Sequence, residues 1–242
     1  MSNENDTFLP ILKVDAREIK EKVIVCGDPK RAAIIAKNLD NAVEVSYNRE
    51  YRLFNGVKDG TEITVASHGV GASGAAVCFE ELIKGGAKEI IRVGTAGSLN
   101  TDIVDGDIVI ATAAVREDGL TQQLISQPYP AVASHDLCGR LEKAGSDLKI
   151  DTYTGIVLTI AAFYPELEEL PNYYYSKANV IAVEMEASAL FVIASLHNIK
   201  AAAIMAIDGI AIDFDADSYD PHRDKVDRAI KKEIEIAIQA LV

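Results

Sequence analysis

Residues 23–39 read VIVCGDPKRAAIIAKNL. The short apolar run Val23 to Cys26 stops at Gly27-Asp28-Pro29, and helical periodicity then extends from Arg31 to Leu39. Pro29 suits the first position of that helix, where its missing N–H leaves no bond unmade. The stretch is a buried strand, a glycine turn and a helix, and the same alternation recurs along the chain. Val43 to Val57 reads as a strand pair folded back through Asn48 to Tyr51, and Glu62 to Ser67 as a further strand. A glycine-rich turn from His68 to Gly74 leads into a helix over Ala75 to Lys84, closed by Gly85-Gly86. Glu89 to Val93 is a buried strand ending in Gly94-Thr95-Ala96-Gly97, and Asp107 to Val115 and Thr154 to Thr159 are others. Ser134 is placed to cap a helix reaching Ala144. Val180 to Val183 is a strand that passes into a long helix, Glu184 to His197. Ala201 to Ile207 is the last core strand, followed by an acidic loop and a terminal helix from about Pro221. This alternation predicts an α/β fold with a mixed, largely parallel central sheet and helices on both faces.

The chain has 242 residues, 49% of them hydrophobic, enough to form one sizeable core. No linker, low-complexity stretch or internal repeat divides it, so a single domain over residues 1–242 is expected. The longest apolar runs are strand-length, well below the ~20 residues of a membrane span. The start, MSNENDTFLP, has no apolar signal core. Cys26, Cys78 and Cys138 are odd in number and widely spaced, which suggests reduced thiols in a cytoplasmic protein. No Cys/His cluster has metal-ligand spacing, so no metal is expected. The net charge of −13 disfavours nucleic acid and anionic membranes as partners. A site for a small anion must therefore gather its arginines locally.

Ligands in α/β sheets collect beyond the carboxyl ends of the strands. Four such ends carry chemistry here: Gly27 to Arg31, Arg92 to Thr95, Glu184 to Glu186, and Asp208-Gly209. Arg31 follows a glycine turn at a helix N-terminus, which suits phosphate, although a surface arginine in a first turn is the commoner case. Arg92 lies among buried residue types and needs a partner, either a carboxylate such as Glu80 or Glu81 or a bound anion near Thr95. Gly69, Gly71 and Gly74 match the dinucleotide pattern, but in the third strand–helix unit rather than the first. Glu184 and Glu186 stand two apart at a strand-to-helix junction, where they either complement the helix dipole or hold sugar hydroxyls. Asp208 ends an apolar strand, as a general acid or as half of an Asp-Gly turn. Asp213, Asp215, Asp217 and Asp220 mark the loop after it as a solvated lid.

Taken together, five segments resemble the nucleoside phosphorylase family, which includes hexameric purine nucleoside phosphorylases and uridine phosphorylases. They are Val25 to Arg31, Asn48 to Tyr51, Ser67 to Gly71, Arg92 to Gly97 and Val183 to Ala187, in the family's order and spacing. Ala113 to Asp118 and Tyr175 to Asn179 are similar to the protozoan purine enzymes. The resemblance implies phosphorolysis of purine nucleosides such as inosine and guanosine, with inorganic phosphate as co-substrate and no cofactor. It implies a phosphate site of Gly27, Arg31, Arg92 and Thr95, completed by Arg49 from a neighbouring subunit of a homohexamer. Phosphate is then the partner that explains the burial of Arg92. Ribose would meet Met185 and Glu186, with Glu184 nearby. The base would stack on Phe163 and pack on Val183, with Asp208 facing N7.

Three positions depart from the family pattern. Ile11 stands where a histidine usually contacts the ribose 5′-hydroxyl, which suggests tolerance of 5′-deoxy or 5′-methylthio nucleosides. Leu167 and Glu169 replace the glutamine and arginine with which uridine phosphorylases bind uracil. Ile160-Ala161 replaces a Ser-Asp pair. Rival readings are a hydrolytic nucleosidase, a non-catalytic nucleoside binder and an NAD-dependent oxidoreductase.

Overall fold

The computed structural model describes residues 8–164, 166–213 and 224–242. The first half of the chain forms β1 (Phe8–Leu9), β2 (Val14–Asp15), β3 (Lys22–Cys26), α1 (Pro29–Ala36), β4 (Asp40–Asn48), β5 (Tyr51–Lys58), β6 (Thr61–Ser67), α2 (Ala72–Lys84), β7 (Glu89–Ser98) and β8 (Ile108–Glu117). It continues through α3 (Thr121–Leu124), β9 (Ala131–Val132), α4 (His135–Asp147), β10 (Tyr153–Ile160), α5 (Asn172–Lys177), β11 (Ala182–Glu184), α6 (Ala187–Leu196), β12 (Lys200–Ile210) and α7 (Asp224–Leu241). The acidic segment expected to form a lid lies, beyond Asp213, outside the described residues, as do Pro221 and the polar start of the chain.

The opening strand–turn–helix forms as its sequence dictates. Pro29 begins α1, and the Asp28 side chain accepts the Lys30 amide at 2.8 Å as its cap. Helix α6 is apolar all round and correspondingly buried on nearly every side. Three of the boundaries that differ from the sequence reading bear on the site. Helix α2 starts at Ala72 rather than Ala75, because Gly71 at φ +91° turns the chain and its carbonyl accepts the Ala75 amide at 3.2 Å. Strand β7 runs through its glycines to Ser98, held by β12 on one side and β11 on the other. Helix α6 begins at Ala187 rather than Glu184, for a reason given by the Glu184 carboxylate below.

The main sheet is ordered β11-β10-β8-β12-β7-β3-β6-β5-β4, with β9 on β8. Its ladders are parallel through β6-β3-β7-β12 and β8-β10-β11, and antiparallel elsewhere. β11 also pairs with β7, so β7, β12, β8, β10 and β11 close into a ring. Helix α7 packs on α4 and across β12, β7 and β3, while α6 packs on α2, β8 and β12. A large core fills these layers, and a smaller apolar cluster of Leu99, Leu158, Ile160, Val180, Val183 and Ala211 sits at the mouth of the ring. All three cysteines are buried and free. Among the described residues no helix is long and apolar enough to cross a membrane.

Candidate active site

The parallel strands β3, β7 and β12, together with β11, which runs antiparallel to β7, deliver their carboxyl ends to one cavity of about 640 Å³, a volume typical of small-molecule sites. Gly27, Arg31, Arg92, Thr95, Phe163, Val183, Glu184, Met185, Glu186 and Asp208 all line it. Of the site residues expected from sequence, only Arg49 does not.

Arg92 is 3% exposed and its partners are neither Glu80 nor Glu81. Glu80 pairs with His197 at 3.0 Å, and Glu81 accepts the amides of Ile11 and Leu12. The guanidinium instead bonds Glu184, from Nε at 3.2 Å, and Glu186. Both carboxylates therefore neutralise the buried charge within the protein, which corrects the expectation that phosphate alone explains its burial. Burial works against the arginine's charge, but Glu186 and Glu184 outweigh it and hold the proton more firmly than usual. Gly94 makes room for this arrangement: a Cβ there would stand 2.4 Å from the guanidinium.

The two carboxylates differ in what they have left to offer. Glu184 accepts from Thr159 Oγ1 at 2.6 Å, from the amides of Glu186 and Ala187 at 2.8 and 2.9 Å, and from Arg92. By holding those two amides it sets the start of α6, so the reading as a helix-terminal charge holds for this residue. Burial pushes its carboxyl above the ordinary range, and Arg92 pulls the other way. Glu186 holds the Gly71 amide through one oxygen and Arg92 through the other. The helix N-terminus that a dinucleotide pyrophosphate would need is thus bonded by the protein's own carboxylate. Gly69, at φ +76°, lets the chain pass Glu50, whose Cγ a Cβ would approach to 2.8 Å. The glycine pattern serves packing.

Arg31 lies one turn into α1, half-buried on the cavity wall, and no described residue pairs with its guanidinium. The β3 and β6 ends beside it are stitched by bonds from His68 to Cys26 (2.9 Å) and Gly69 to Gly27 (3.0 Å). At the opposite wall, the β12 register shifts between Ile207 and Gly209, which face Ala96 and Gly97 on β7. Asp208 is the extra residue of this bulge. Bulges re-aim side chains, and this one sets a 4% exposed carboxyl on the cavity wall. Phe163, Val183, Ile160, Leu170 and Ala211 supply apolar surface. Phe163 meets Tyr164 edge to face at 5.0 Å.

Sequence reasoning missed Glu50 and Asn172, which also line the cavity. Asn172 donates from Nδ2 to the Ala211 carbonyl at 2.7 Å, and no motif flags it. It also missed Glu233 of α7, which is fully buried with the Ala206 backbone against its carboxyl. Burial pushes that carboxyl well above its ordinary range, against Arg31 and Arg92 nearby.

Arg49 sits in the exposed β4–β5 turn at φ +56°. Next to it, Asn48 Nδ2 donates to the Ile11 carbonyl at 2.8 Å. Ile11 and Arg49 are thus brought near one another, and neither lines the cavity. Leu167 and Glu169 are exposed and do not line the cavity either.

Residues 21–242 match the Phosphorylase superfamily. The chain is 39% identical over 238 residues to a purine nucleoside phosphorylase of Plasmodium falciparum, covering 97% of this chain and 96% of that one. The crystal structure of a Toxoplasma gondii purine nucleoside phosphorylase in complex with immucillin-H superposes with a TM-score of 0.94 at 32% identity, over 100% of this chain and 97% of that one. A uridine phosphorylase from Vibrio fischeri ES114 gives 0.89, also at 32% identity, over 100% and 99% of the two chains.

Proposed function

This chain belongs to the nucleoside phosphorylase family and is a pentosyltransferase, and from that premise we propose that it cleaves purine nucleosides with inorganic phosphate, releasing the base and ribose 1-phosphate. One observation carries the reading: a single cavity has on one wall Arg31, unpaired among the described residues, Asp208 in a bulge on another, and Glu186 with Met185 in its lining.

In this reading phosphate binds at Gly27, Arg31 and Thr95, with Arg92 held ready by its carboxylates and Arg49 supplied by a second copy of the chain. The ribose hydroxyls meet Glu186 and the sugar lies on Met185. Departure of the base leaves an oxocarbenium-like sugar. The bound phosphate stabilises that cation electrostatically and then attacks C1′ without having to be collected from solution. The base stacks on Phe163 against Val183. Asp208 gives its proton to N7 as negative charge develops there, a general-acid contribution of about 10²–10⁴ in rate. The exposure of Leu167 and Glu169 supports purine over uracil, since neither offers a bond inside the cavity.

Inosine cleavage followed with and without inorganic phosphate is the direct test. Phosphate-dependent appearance of hypoxanthine and ribose 1-phosphate is expected; equal release without phosphate would make the protein a hydrolase. A second reading comes from Ile11, a half-buried apolar residue whose carbonyl is bonded by Asn48, the neighbour of Arg49. It favours 5′-deoxy or 5′-methylthio nucleosides, and a kcat/KM for inosine equal to or above that for 5′-methylthioinosine counts against it.

A further inference from the structure

We propose that Asn172 reads the base: its side-chain oxygen accepts a hydrogen bond from N1–H of a 6-oxopurine, and so selects inosine and guanosine over adenosine. The inference rests on the purine reading above. Asn172 opens α5, is 3% exposed, and lines the cavity beside Leu170, Ala211, Phe163 and Val183. Its Nδ2 donates to the Ala211 carbonyl at 2.7 Å. A backbone carbonyl only accepts, so this bond fixes which way the amide points. The other end, Oδ1, has no hydrogen-bond partner among the described residues. Buried acceptors are nearly always paired, and an orphaned one on a residue that lines the cavity marks the place of a ligand's donor.

The position along the wall identifies that donor. Ala211 lies three residues beyond Asp208, and its own amide is bonded to the Ser98 carbonyl at 2.8 Å. Asn172 is therefore tied to the strand end that carries Asp208. With Asp208 at N7, the edge of a purine running through position 6 to position 1 follows this wall. A 6-oxopurine presents N1–H there, which meets the Asn172 oxygen as donor to acceptor. Adenine presents a lone pair at the same atom and carries its N–H groups on the exocyclic amine, between N1 and N7. An acceptor facing that lone pair leaves both buried groups unpaired, which is how a polar site rejects the wrong ligand.

The experiment compares kcat/KM for inosine and adenosine in the wild-type protein, Asn172→Leu and Asn172→Asp. Wild type should prefer inosine. Asn172→Leu should lose about tenfold or more with inosine, chiefly through KM, while adenosine changes little, so the preference collapses. Asn172→Asp keeps an acceptor oxygen and should retain the preference even where it loosens the bond to Ala211. If the leucine variant does not fold, Asn172→Ala removes the same oxygen without added bulk. An unchanged inosine-to-adenosine ratio, with both substrates losing kcat equally, would reduce Asn172 to a brace for the Asp208 strand and overturn the proposal. A wild-type protein that cleaves uridine but no purine nucleoside would overturn the purine reading itself, and is seen before any variant is made.

Discussion

Arg92 on β7 bonds Glu184 at the end of β11 at 3.2 Å, and through the same guanidinium it also binds Glu186. The contact draws one strand end of the cavity against another. It also makes the charge balance of the site a property of three side chains that depend on one another.

Removing the cation should therefore cost more than a phosphate contact. Arg92→Met leaves two buried carboxylates without their counter-charge, and breaking such a group is worth about 3–5 kcal/mol of stability. Chemical denaturation of the variant should show a loss of that order; a change below about 1 kcal/mol would contradict the pairing.

The two glutamates should separate by assay. Glu184→Gln disturbs a carboxylate that holds Thr159, two amides and Arg92, so it should lower the melting temperature. Glu186→Gln also removes one of Arg92's two carboxylates and so costs some stability, but its larger effect should fall on turnover of ribosides. If both variants lose activity and stability in the same proportion, the division of labour is wrong.

Asp208→Asn should depress kcat for inosine by about 10²–10⁴. In 7-methylguanosine the N7 position already carries a methyl group and positive charge, so its base leaves without a proton. The variant should cleave that substrate at close to the wild-type rate. An equal defect on both substrates would remove Asp208 from the role of general acid.

Arg31 lines its own cavity, whereas Arg49 is exposed and does not line it. Arg31→Ala and Arg49→Ala should each weaken phosphate binding. Co-expressed, the two variants should regain activity, because a mixed pair contains one site with both arginines intact. Failure of the mixture to exceed its components would mean that Arg49 does not act between subunits.

Glu233 gives a test by pH. Burial holds its carboxyl well above the ordinary 4.5, with Arg31, Arg92 and Asp208 in electrostatic reach. The folded state thus keeps a proton that the unfolded chain releases, so this group's contribution is complete below 4.5 and declines as pH rises toward the folded value. Glu233→Gln removes the decline. Its melting temperature should exceed the wild-type value by a margin that widens from pH 4.5 to neutral. A margin independent of pH would show that the carboxyl does not titrate differently on folding.

Much of this site is legible in the sequence because strand-end residues announce themselves locally. Gly27 to Arg31 is a strand stop, a cap and a helix start within a few residues, and it folds that way. Arg92 is conspicuous as a charge inside an apolar run, but its partner is not, since Glu184 lies 92 residues further on. The bulge at Asp208 depends on how β12 registers against β7, which no single strand encodes. Asn172 has no motif around it; only the fold brings it to Ala211. The strand through Gly94 to Gly97 runs against local propensity because two neighbouring ladders support it.

The double pairing of β11 has a consequence for how substrates exchange. A three-residue strand that is laddered to β10 on one edge and β7 on the other acts as the clasp of a hoop. A hoop cannot open by swinging its halves apart, so the side of the cavity formed by β7 and β11 stays fixed while substrates exchange. The Val183 amide, locked in the clasp, should exchange its hydrogen for deuterium only when the whole molecule unfolds.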